Sequence, residues 1–398
     1  MIKTIARGIT YIGASDEKEG LFEGQYITPE GMAYNSYLAE GAKIAVIDTA
    51  DAVVAEQWKA NLAEALRGRT PDYLVVHHVE PDHSALIAWA LDSFPGIKVV
   101  ASAKALQMLP NFFEGRDFSS AGIAVKEGDT LDLGNGVSLR FFGAAMVHWP
   151  EVMVSYEAST GCLFSADAFG KFGALPRCGF FGEEDNDWAC EARRYYFNIV
   201  GKYGIPVQGL LRKLATVDIR TICPLHGPIL REGLDEYLRL YGIWSSYGVE
   251  TEGVFVAYSS MHGGTEEAAL KLADILRAKG CPKVATANLC KDDMAEAVED
   301  AFRYGKMVLA APTYDGGLFT PAYNFLHTLQ MKGYQQRTVG LIENGSWAPA
   351  AAKVMTEMLS AMKAVSVLPE VVTIKSRLHA DDIPALEALA DAVLKEEA

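Results

Sequence analysis

Apolar and polar positions in the first 250 residues alternate in short runs, and Gly, Pro and Glu separate one run from the next. Runs of this length between turn residues are typical of β-strands. The Asn135-Gly136 pair predicts a hairpin turn, and His83–Phe94 has the apolar spacing of a helix. The predicted strands are Ile9–Ala14, Met32–Ala39, Lys43–Asp48, Tyr73–His78, Lys98–Ser102, Ser138–Ala144, Cys162–Asp167 and Thr221–Pro224.

Beyond this point the pattern changes to longer segments in which strands and helices alternate. Such alternation predicts a parallel, doubly wound sheet of about five strands. We therefore expect two domains, residues 1–250 and 251–398, with a boundary near Glu250. The predicted strands of the second domain are Val254–Tyr258, Met307–Ala311, Thr338–Glu343 and one near Val365–Ile374, and its predicted helices are Thr265–Lys279, Ala322–Met331, Pro349–Met362 and Pro384–Lys395.

Composition narrows the classes of function. The formal net charge is −15 at pH 7, and a surface of that sign repels nucleic-acid backbones. The six cysteines form no C-x-x-C pair, so we expect reduced thiols rather than disulfides or an iron–sulfur cluster. The sequence contains neither a long apolar run nor a cleavable leader, which predicts a soluble, cytoplasmic protein with no membrane partner.

The segment H-H-V-E-P-D-H, residues 77–83, follows a predicted buried strand and concentrates metal-ligand side chains. Within it the H-x-E-x-D-H pattern supplies half of a metal site. Each residue alone has a structural explanation, such as a hydrogen-bonded histidine or a helix cap. Taken together, the spacing resembles that of the metallo-β-lactamase superfamily. The candidate ligands are His78, Glu80, Asp82 and His83 in this segment, and His148, Asp167 and His226 near the ends of later strands.

Glu80 is the feature that separates this pattern from that of the hydrolases in the superfamily, which carry H-x-H-x-D-H and bind zinc. A carboxylate is a harder ligand than imidazole and adds a negative charge. Three carboxylates and a bridging hydroxide would bring a site with two ferrous ions to about neutral, which suits a partly buried redox centre. The substitution therefore favours iron and redox chemistry over zinc and hydrolysis.

Three loops of the second domain indicate a flavin phosphate and ring site. The first, Y-S-S-M-H-G-G-T-E, joins a strand to a helix through two glycines, and such a turn can bind a terminal phosphate. Helix capping is the alternative explanation for Thr265. All three loops should meet at the carboxyl edge of the sheet, where Tyr314 and Trp347 could stack on an isoalloxazine ring. The candidates are Ser260, Met261, His262, Gly263, Gly264 and Thr265; Pro312, Thr313, Tyr314, Asp315, Gly316 and Gly317; and Asn344, Gly345, Ser346 and Trp347.

The combination of H-H-V-E-P-D-H, A-M-V-H-W-P-E, L-F-S-A-D-A-F-G, C-P-L-H-G and this second domain resembles the flavodiiron proteins over essentially the whole chain. The resemblance implies a metallo-β-lactamase-like αββα sandwich followed by a flavodoxin-like domain. It implies two non-haem irons and FMN, and reduction of dioxygen to water or of nitric oxide to nitrous oxide. By position, the ligands would be His78, Glu80 and His148 for one iron and Asp82, His83 and His226 for the other, with Asp167 bridging and Trp149 lining the pocket.

Ala166, Leu225 and the N-G-S-W-A-P loop depart from the usual residues of the family, which bears on substrate preference rather than on the metal ligands. We expect an external electron donor, such as a rubredoxin-like protein or a reduced deazaflavin. The resemblance also implies a head-to-tail homodimer or a dimer of dimers. Two alternatives remain open at this point, a zinc hydrolase of thioesters or phosphoesters and a flavodoxin-like electron carrier with a degenerate metal domain.

Overall fold

The computed structural model describes residues 1–118 and 120–395 and divides into two compact units, Met1–Gly242 and Ile243–Ala398. The division falls inside the helix Leu234–Ser245, a few residues before Glu250. The boundary predicted from the sequence near Glu250 thus lies just after this helix, whereas the boundary between the two compact units lies within it. None of the helices in the described ranges has the length and apolar character required to cross a membrane.

Two sheets form the centre of the first unit. One sheet has the order β1-β2-β7-β8-β9-β10-β11, and the other has the order β12-β13-β14-β15-β16. Two short antiparallel pairs, β3 with β6 and β4 with β5, lie outside them. The strands are β1 (Lys3–Ala6), β2 (Ile9–Tyr11), β3 (Ala14–Asp16), β4 (Gly20–Phe22), β5 (Tyr26–Thr28), β6 (Met32–Tyr34), β7 (Tyr37–Glu40), β8 (Ile44–Ile47), β9 (Tyr73–Val76), β10 (Lys98–Ser102), β11 (Gly122–Val125), β12 (Thr130–Gly134), β13 (Val137–Gly143), β14 (Met153–Glu157), β15 (Cys162–Phe164) and β16 (Thr221–Cys223).

The helices of this unit follow its strands. Helix α4 packs against β10 and β11 of the first sheet, and α7 packs against β13 of the second. The α-helices are α1 (Ala55–Leu66), α2 (Pro81–Ser84), α3 (Ile87–Ser93), α4 (Ala103–Met108), α5 (Leu175–Cys178), α6 (Trp188–Tyr195), α7 (Gly204–Leu214) and α8 (Leu234–Ser245), with a π-helical turn at Tyr196–Val200 and 3₁₀ turns at Ala52–Val54, Leu109–Asn111, Gly182–Glu184 and Gly201–Tyr203.

A single apolar core lies between the two sheets. Tyr37 and Val75 of the first sheet and Leu139 and Phe141 of the second are fully buried members of one cluster. Side chains alternate between the two faces of each strand, so one face of each sheet can supply this shared core. Together with helices packed against both sheets, this arrangement confirms the predicted αββα class.

The second unit contains a parallel sheet with the order β18-β17-β19-β21-β22 and a short antiparallel strand, β20, beside β19. Counted within the unit, the order of the five parallel strands is that of the flavodoxin-like fold, as predicted. The strands are β17 (Thr251–Tyr258), β18 (Val284–Asn288), β19 (Tyr304–Tyr314), β20 (Gly317–Leu318), β21 (Arg337–Asn344) and β22 (Val365–Ile374). The helices are α9 (Gly264–Ala278), α10 (Met294–Arg303), α11 (Thr320–Met331), α12 (Ala351–Ser360) and α13 (Ile383–Leu394), with a 3₁₀ turn at Ala380–Asp382.

The predicted strand Met32–Ala39 is wrong in one respect, because the structure interrupts it between β6 and β7. Asn35 lies in the interruption, fully buried, and its amide Nδ2 donates hydrogen bonds to the carbonyl oxygens of Pro224 (2.9 Å) and Gly227 (2.7 Å). The interruption therefore fixes the loop that carries His226.

Candidate metal centre and flavin pocket

The loop after β9 is held in place by Asp48, which lies just beyond the end of β8. One carboxylate oxygen of Asp48 accepts the backbone N–H of His77 at 2.7 Å, and the other lies 2.7 Å from its ring Nδ1. The opposite ring nitrogen of His77 lies 2.9 Å from the hydroxyl of Ser155 on β14. The ring of His77 thus links the two sheets through Asp48 and Ser155. The next residue, His78, is the first predicted metal ligand.

His78, Glu80, His148 and Asp167 form the first cluster, with one ligand atom of each lying within 4.8 Å of the others. Oε2 of Glu80 lies 3.1 Å from Nε2 of both His78 and His148. Oδ2 of Asp167 lies 3.2 Å from Nε2 of His148 and 3.5 Å from that of His78. Four side chains that are separated by up to 89 residues therefore point at one small volume.

Asp82, His83 and His226 form the second cluster, again within 4.8 Å of one another. Nε2 of His83 lies 3.1 Å from Nε2 of His226, and each of these atoms lies 3.3 Å from Oδ2 of Asp82. Helix α2 begins at Pro81 and turns Asp82 and His83 toward the end of β16, which is where His226 follows.

Asp167 is shared between the two clusters. Its Oδ2 faces His78 and His148, whereas its Oδ1 lies 3.1 Å from Nε2 of His83 and 3.8 Å from that of His226. The structure therefore brings together all seven predicted ligand residues, and it gives Asp167 the placement required of a bridging carboxylate.

The charges within the clusters shift one another's protonation. Burial alone would lower the pKa of His78, but the surrounding carboxylates, led by Asp167, hold that pKa well above its ordinary value. The same balance raises the pKa of His83 and His148 to about 9. Burial disfavours ionised Glu80, yet hydrogen bonds with His148 and His78 lower its pKa to about 2. The carboxylates thus give the site a negative electrostatic potential, which favours the binding of cations.

The donor set fits two divalent metal ions. Both carboxylate oxygens of Asp82 and Oδ1 of Asp167 are buried and have no hydrogen-bond partner within the described residues. Buried carboxylates without partners are costly unless they are paired or coordinate a metal. Nε2 of His83 and Nε2 of His226 lie 3.1 Å apart, and each lies 3.3 Å from Oδ2 of Asp82, so two imidazole nitrogens could join this carboxylate as ligands. Mixed imidazole and carboxylate ligands are a set that iron accepts.

Several residues around the clusters were not predicted from the sequence. Nδ1 of His78 lies 2.7 Å from the carboxylate of Glu151, and Nδ1 of His226 lies 2.8 Å from the carbonyl oxygen of Ala33. The predicted pocket residue Trp149 lies with its ring 5.2 Å from that of His78, at an edge-on angle. The spacing of His148 and Glu151 in H-W-P-E was the available signal for Glu151; nothing in the sequence around Ala33 indicates its contact.

A cavity of about 560 Å³ opens at the carboxyl edge of the sheet in the second unit. Most residues of the three predicted loops line it, but Gly263, Tyr314 and Gly317 are not among its lining residues. Tyr314 packs instead against Phe319, with ring centroids 5.5 Å apart. The loop after β22, which was not among the predicted flavin loops, adds Ser376 and Arg377 to the wall. The lining residues are Ser260, Met261, His262, Gly264, Thr265, Pro312, Thr313, Asp315, Gly316, Asn344, Gly345, Ser346, Trp347, Ala348, Ser376 and Arg377.

Hydrogen bonds between side chains and backbone groups hold these loops close together. The side chain of Asn344 accepts the N–H of Ser376 at 3.0 Å and donates to its carbonyl oxygen at 3.1 Å. Thr313 accepts the backbone N–H of Ala350 at 2.9 Å, just before α12 begins. Helix α9 begins at Gly264, so its N-terminal N–H groups open toward this cavity, as a phosphate site requires. Trp347 is 83% exposed and is available to stack on a planar ring. The cavity therefore fits a flavin mononucleotide.

Comparison with known proteins agrees with this geometry. The model of a family described as ODP family beta lactamase matches residues 32–227. A diflavin flavoprotein of Nostoc sp. is 31% identical over 86% of the chain, and the chain spans 58% of that relative's length. An anaerobic nitric oxide reductase flavorubredoxin of Aeromonas hydrophila is 26% identical over 90% of the chain and 72% of its own length.

A solved structure described as rubredoxin oxygen:oxidoreductase from the anaerobe Desulfovibrio gigas is similar over both units. It is 26% identical and covers 99% of this chain and 98% of its own, with a TM-score of 0.92. The likeness in backbone fold therefore extends over both the two-sheet unit and the flavodoxin-like unit. In sequence and in fold the chain is thus similar to the flavodiiron proteins, as its motifs predicted.

Proposed function

We propose that this protein is an oxidoreductase that reduces dioxygen to water, nitric oxide to nitrous oxide, or both, at a non-haem di-iron site supplied with electrons through FMN. The observation that carries the proposal is the position of Asp167, with one carboxylate oxygen in each ligand cluster. The relatives named for reaction with oxygen and with nitric oxide support the two substrates.

The iron ligands in this proposal are divided between the two clusters. His78, Glu80 and His148 would hold one iron, and a second set, Asp82, His83 and His226, would hold the other. Asp167 would contribute one oxygen to each. Two irons held by these ligands would supply paired positions for substrate binding and electrons for its reduction.

Aromatic side chains exclude water from the second cluster. The rings of Phe22, Tyr34 and Tyr195 lie 5.4, 5.9 and 5.5 Å from the ring of His226. All three are at least nine-tenths buried, so bulk water does not reach the histidine from their side. Trp149, which is partly exposed, lies edge-on to His78 in the first cluster, with ring centroids 5.2 Å apart. These side chains would keep a small apolar substrate at the ligands and limit side reactions with solvent.

FMN would bind in the cavity of the second unit. The N-terminus of α9 and the hydroxyls of Ser260 and Thr265 suit the phosphate, and Trp347 suits the ring. We propose residues 1–250 as the di-iron domain and 251–398 as the FMN domain. A rubredoxin-like protein or a reduced deazaflavin would be the external electron donor. We propose a homodimer, or a dimer of dimers, as the working assembly.

Metal analysis and a visible flavin spectrum of the purified protein test the proposal. We expect iron and FMN in a ratio of about two to one, as a two-metal site and one flavin cavity require. Protein that has been reduced in the absence of oxygen should then consume dissolved dioxygen or nitric oxide when it is mixed with either gas in solution. Two zinc ions without flavin would instead favour the hydrolase alternative, and flavin without metal would favour a simple electron carrier.

A further inference from the structure

The two ligand clusters have the same composition of direct ligands. Each contains two imidazole rings, one terminal carboxylate and one oxygen of Asp167. The groups behind the ligands are therefore one source of electrostatic difference between the half-sites. Such outer contacts orient a histidine ligand and alter its basicity.

The groups behind the histidines differ in charge. Nδ1 of His78 donates to a carboxylate oxygen of Glu151 at 2.7 Å. Nδ1 of His226, in the other half-site, donates to the neutral carbonyl oxygen of Ala33 at 2.8 Å. Nδ1 of His83 is buried, and no described residue accepts a hydrogen bond from it. Among the hydrogen bonds of the described residues, only that of His78 joins a ligand histidine to a carboxylate outside the ligand set.

Glu151 is built into this position. It is 1% exposed, and the oxygen that faces His78 also accepts the backbone N–H of Val79 at 3.1 Å. Its own carbonyl oxygen accepts the hydroxyl of Ser102 at 2.8 Å, which fixes the loop from behind. Its second carboxylate oxygen is buried without a hydrogen-bond partner in the described part of the chain. No lysine or arginine among those residues forms an ion pair with it.

We propose that Glu151 is a positioning residue that makes the two half-sites inequivalent, so that the ion beside His78 is held more tightly and is the more easily oxidised of the two. The reason is that a carboxylate hydrogen-bonded to Nδ1 increases the electron density at Nε2, whereas a carbonyl oxygen does so less. The inference rests on the proposed metal binding.

Glu151→Gln tests this inference because Gln keeps the shape and an acceptor oxygen for Val79 but removes the charge. We expect one of the two irons to be released to a chelator about 10–100-fold faster than in the wild type, and the other at an unchanged rate. The reduction potential of the affected iron should rise, as followed by the Mössbauer and EPR signals of the half-oxidised centre. Loss from both sites equally, or from neither, would overturn the proposal.

Glu157→Gln is the matched control. Glu157 is also a glutamate that is 1% exposed in the same unit, but its carboxylate bonds to Ser159 and Thr160 rather than to a ligand histidine. It should leave both release rates and the potential unchanged. If Glu151→Gln does not fold, Glu151→Asp, which withdraws the carboxylate by one methylene, should show a smaller loss at the same single site.

Cobalt titration of the metal-free wild type and of Glu151→Gln distinguishes failure of the proposed function from failure of the inference about Glu151. If the wild type contains no iron but binds two Co²⁺, the proposed function fails while the inference is still tested. One weakened Co²⁺ site in the variant supports the inference, and two unchanged sites reject it.

Discussion

Gly264 lies directly against the carbonyl oxygen of Ser376: a β-carbon built on Gly264 would be 2.0 Å from that oxygen, closer than any real contact. This approach joins the first loop of the flavin cavity to the loop after β22. Only glycine allows it without displacement of one loop. The contact therefore ties the N-terminus of α9 to the opposite wall of the cavity.

Gly264→Ala should weaken FMN binding by at least about tenfold, or about 1.4 kcal/mol, because the added methyl group pushes the two loops apart. Iron content should not change. Flavin fluorescence titration and metal analysis measure the two effects. Gly317→Ala is the control, since its β-carbon would meet only the carbonyl oxygen of Tyr314, at an ordinary 3.8 Å. Equal FMN affinity in Gly264→Ala and Gly317→Ala would contradict the argument.

The sequence predicted those features that depend on chain order and residue type. Alternation of strands and helices indicated the five-stranded sheet, and strand ends indicated where His78 and His226 would lie. It missed β18, Val284–Asn288, because this edge strand is half-exposed at Val284 and Ala285 and lacks a long apolar run. Edge strands carry a weaker apolar signal than central ones.

Contacts between distant segments were not predictable in the same way. Ser376 and Arg377 reach the cavity only because β22 is parallel to β21 and ends at the same edge. Glu151 is close to His148 in sequence, but its partner is His78, 73 residues away. A single sequence shows the types and spacing of possible ligands. Contacts between residues far apart in the chain, such as that of Glu151 with His78, depend on how the strands and sheets are arranged.

Asp167→Ala should lose activity and iron more completely than His83→Ala. Asp167 contacts both clusters, so its removal affects both half-sites, whereas His83 contributes to one and water can replace a terminal ligand. We expect no measurable turnover and iron lost from both sites in Asp167→Ala, and a partial loss confined to one site in His83→Ala. Turnover assays and iron quantification compare them; equal losses in both variants would show that Asp167 does not bridge.

Glu80→His should change metal preference. It replaces the oxygen that lies 3.1 Å from both His78 and His148 with an imidazole and removes one negative charge. We expect a higher ratio of zinc to iron and no reductase turnover, with unchanged FMN content because the cavity is in the other unit. Metal analysis of protein from the same growth medium measures the ratio. Reductase activity at the wild-type level would refute the charge argument.

Glu157→Gln should destabilise the protein by about 1–3 kcal/mol at neutral pH, because the buried carboxylate accepts hydrogen bonds from the backbone and hydroxyls of Ser159 and Thr160. Burial alone would raise the pKa of Glu157, but these bonds lower it below the ordinary value of 4.5. Because the pKa of Glu157 is lower in the folded than in the unfolded protein, its ionised carboxylate stabilises the fold at pH values above the ordinary pKa. This stabilisation is lost as the pH falls through the pKa of the folded state.

The stability difference between wild type and Glu157→Gln should therefore narrow in acid, at pH values below about 4.5. Urea unfolding of the metal-free proteins at several pH values, followed by circular dichroism, measures it. Use of the metal-free form removes the separate effect of metal loss in acid. A difference that stays constant from neutral to acidic pH would mean that the charge of Glu157 contributes nothing.

Subunit mixing tests the proposed head-to-tail homodimer. Asp167→Ala should lack a working metal centre, and Gly264→Ala stripped of FMN and assayed without added flavin should lack bound flavin; each should be inactive or nearly so alone. In a two-fold dimer that pairs the flavin of one chain with the metal centre of the other, a mixed dimer contains one intact pair, because each chain retains the site that its partner has lost. A mixed dimer should then have about half the activity of a wild-type dimer, and an equal mixture after complete exchange, in which half of the dimers are mixed, about one quarter. Wild-type protein diluted with Asp167→Ala provides the control for exchange. If the mixed dimers form, as judged by differently tagged chains, and remain inactive, electrons pass within one chain and the paired arrangement is wrong.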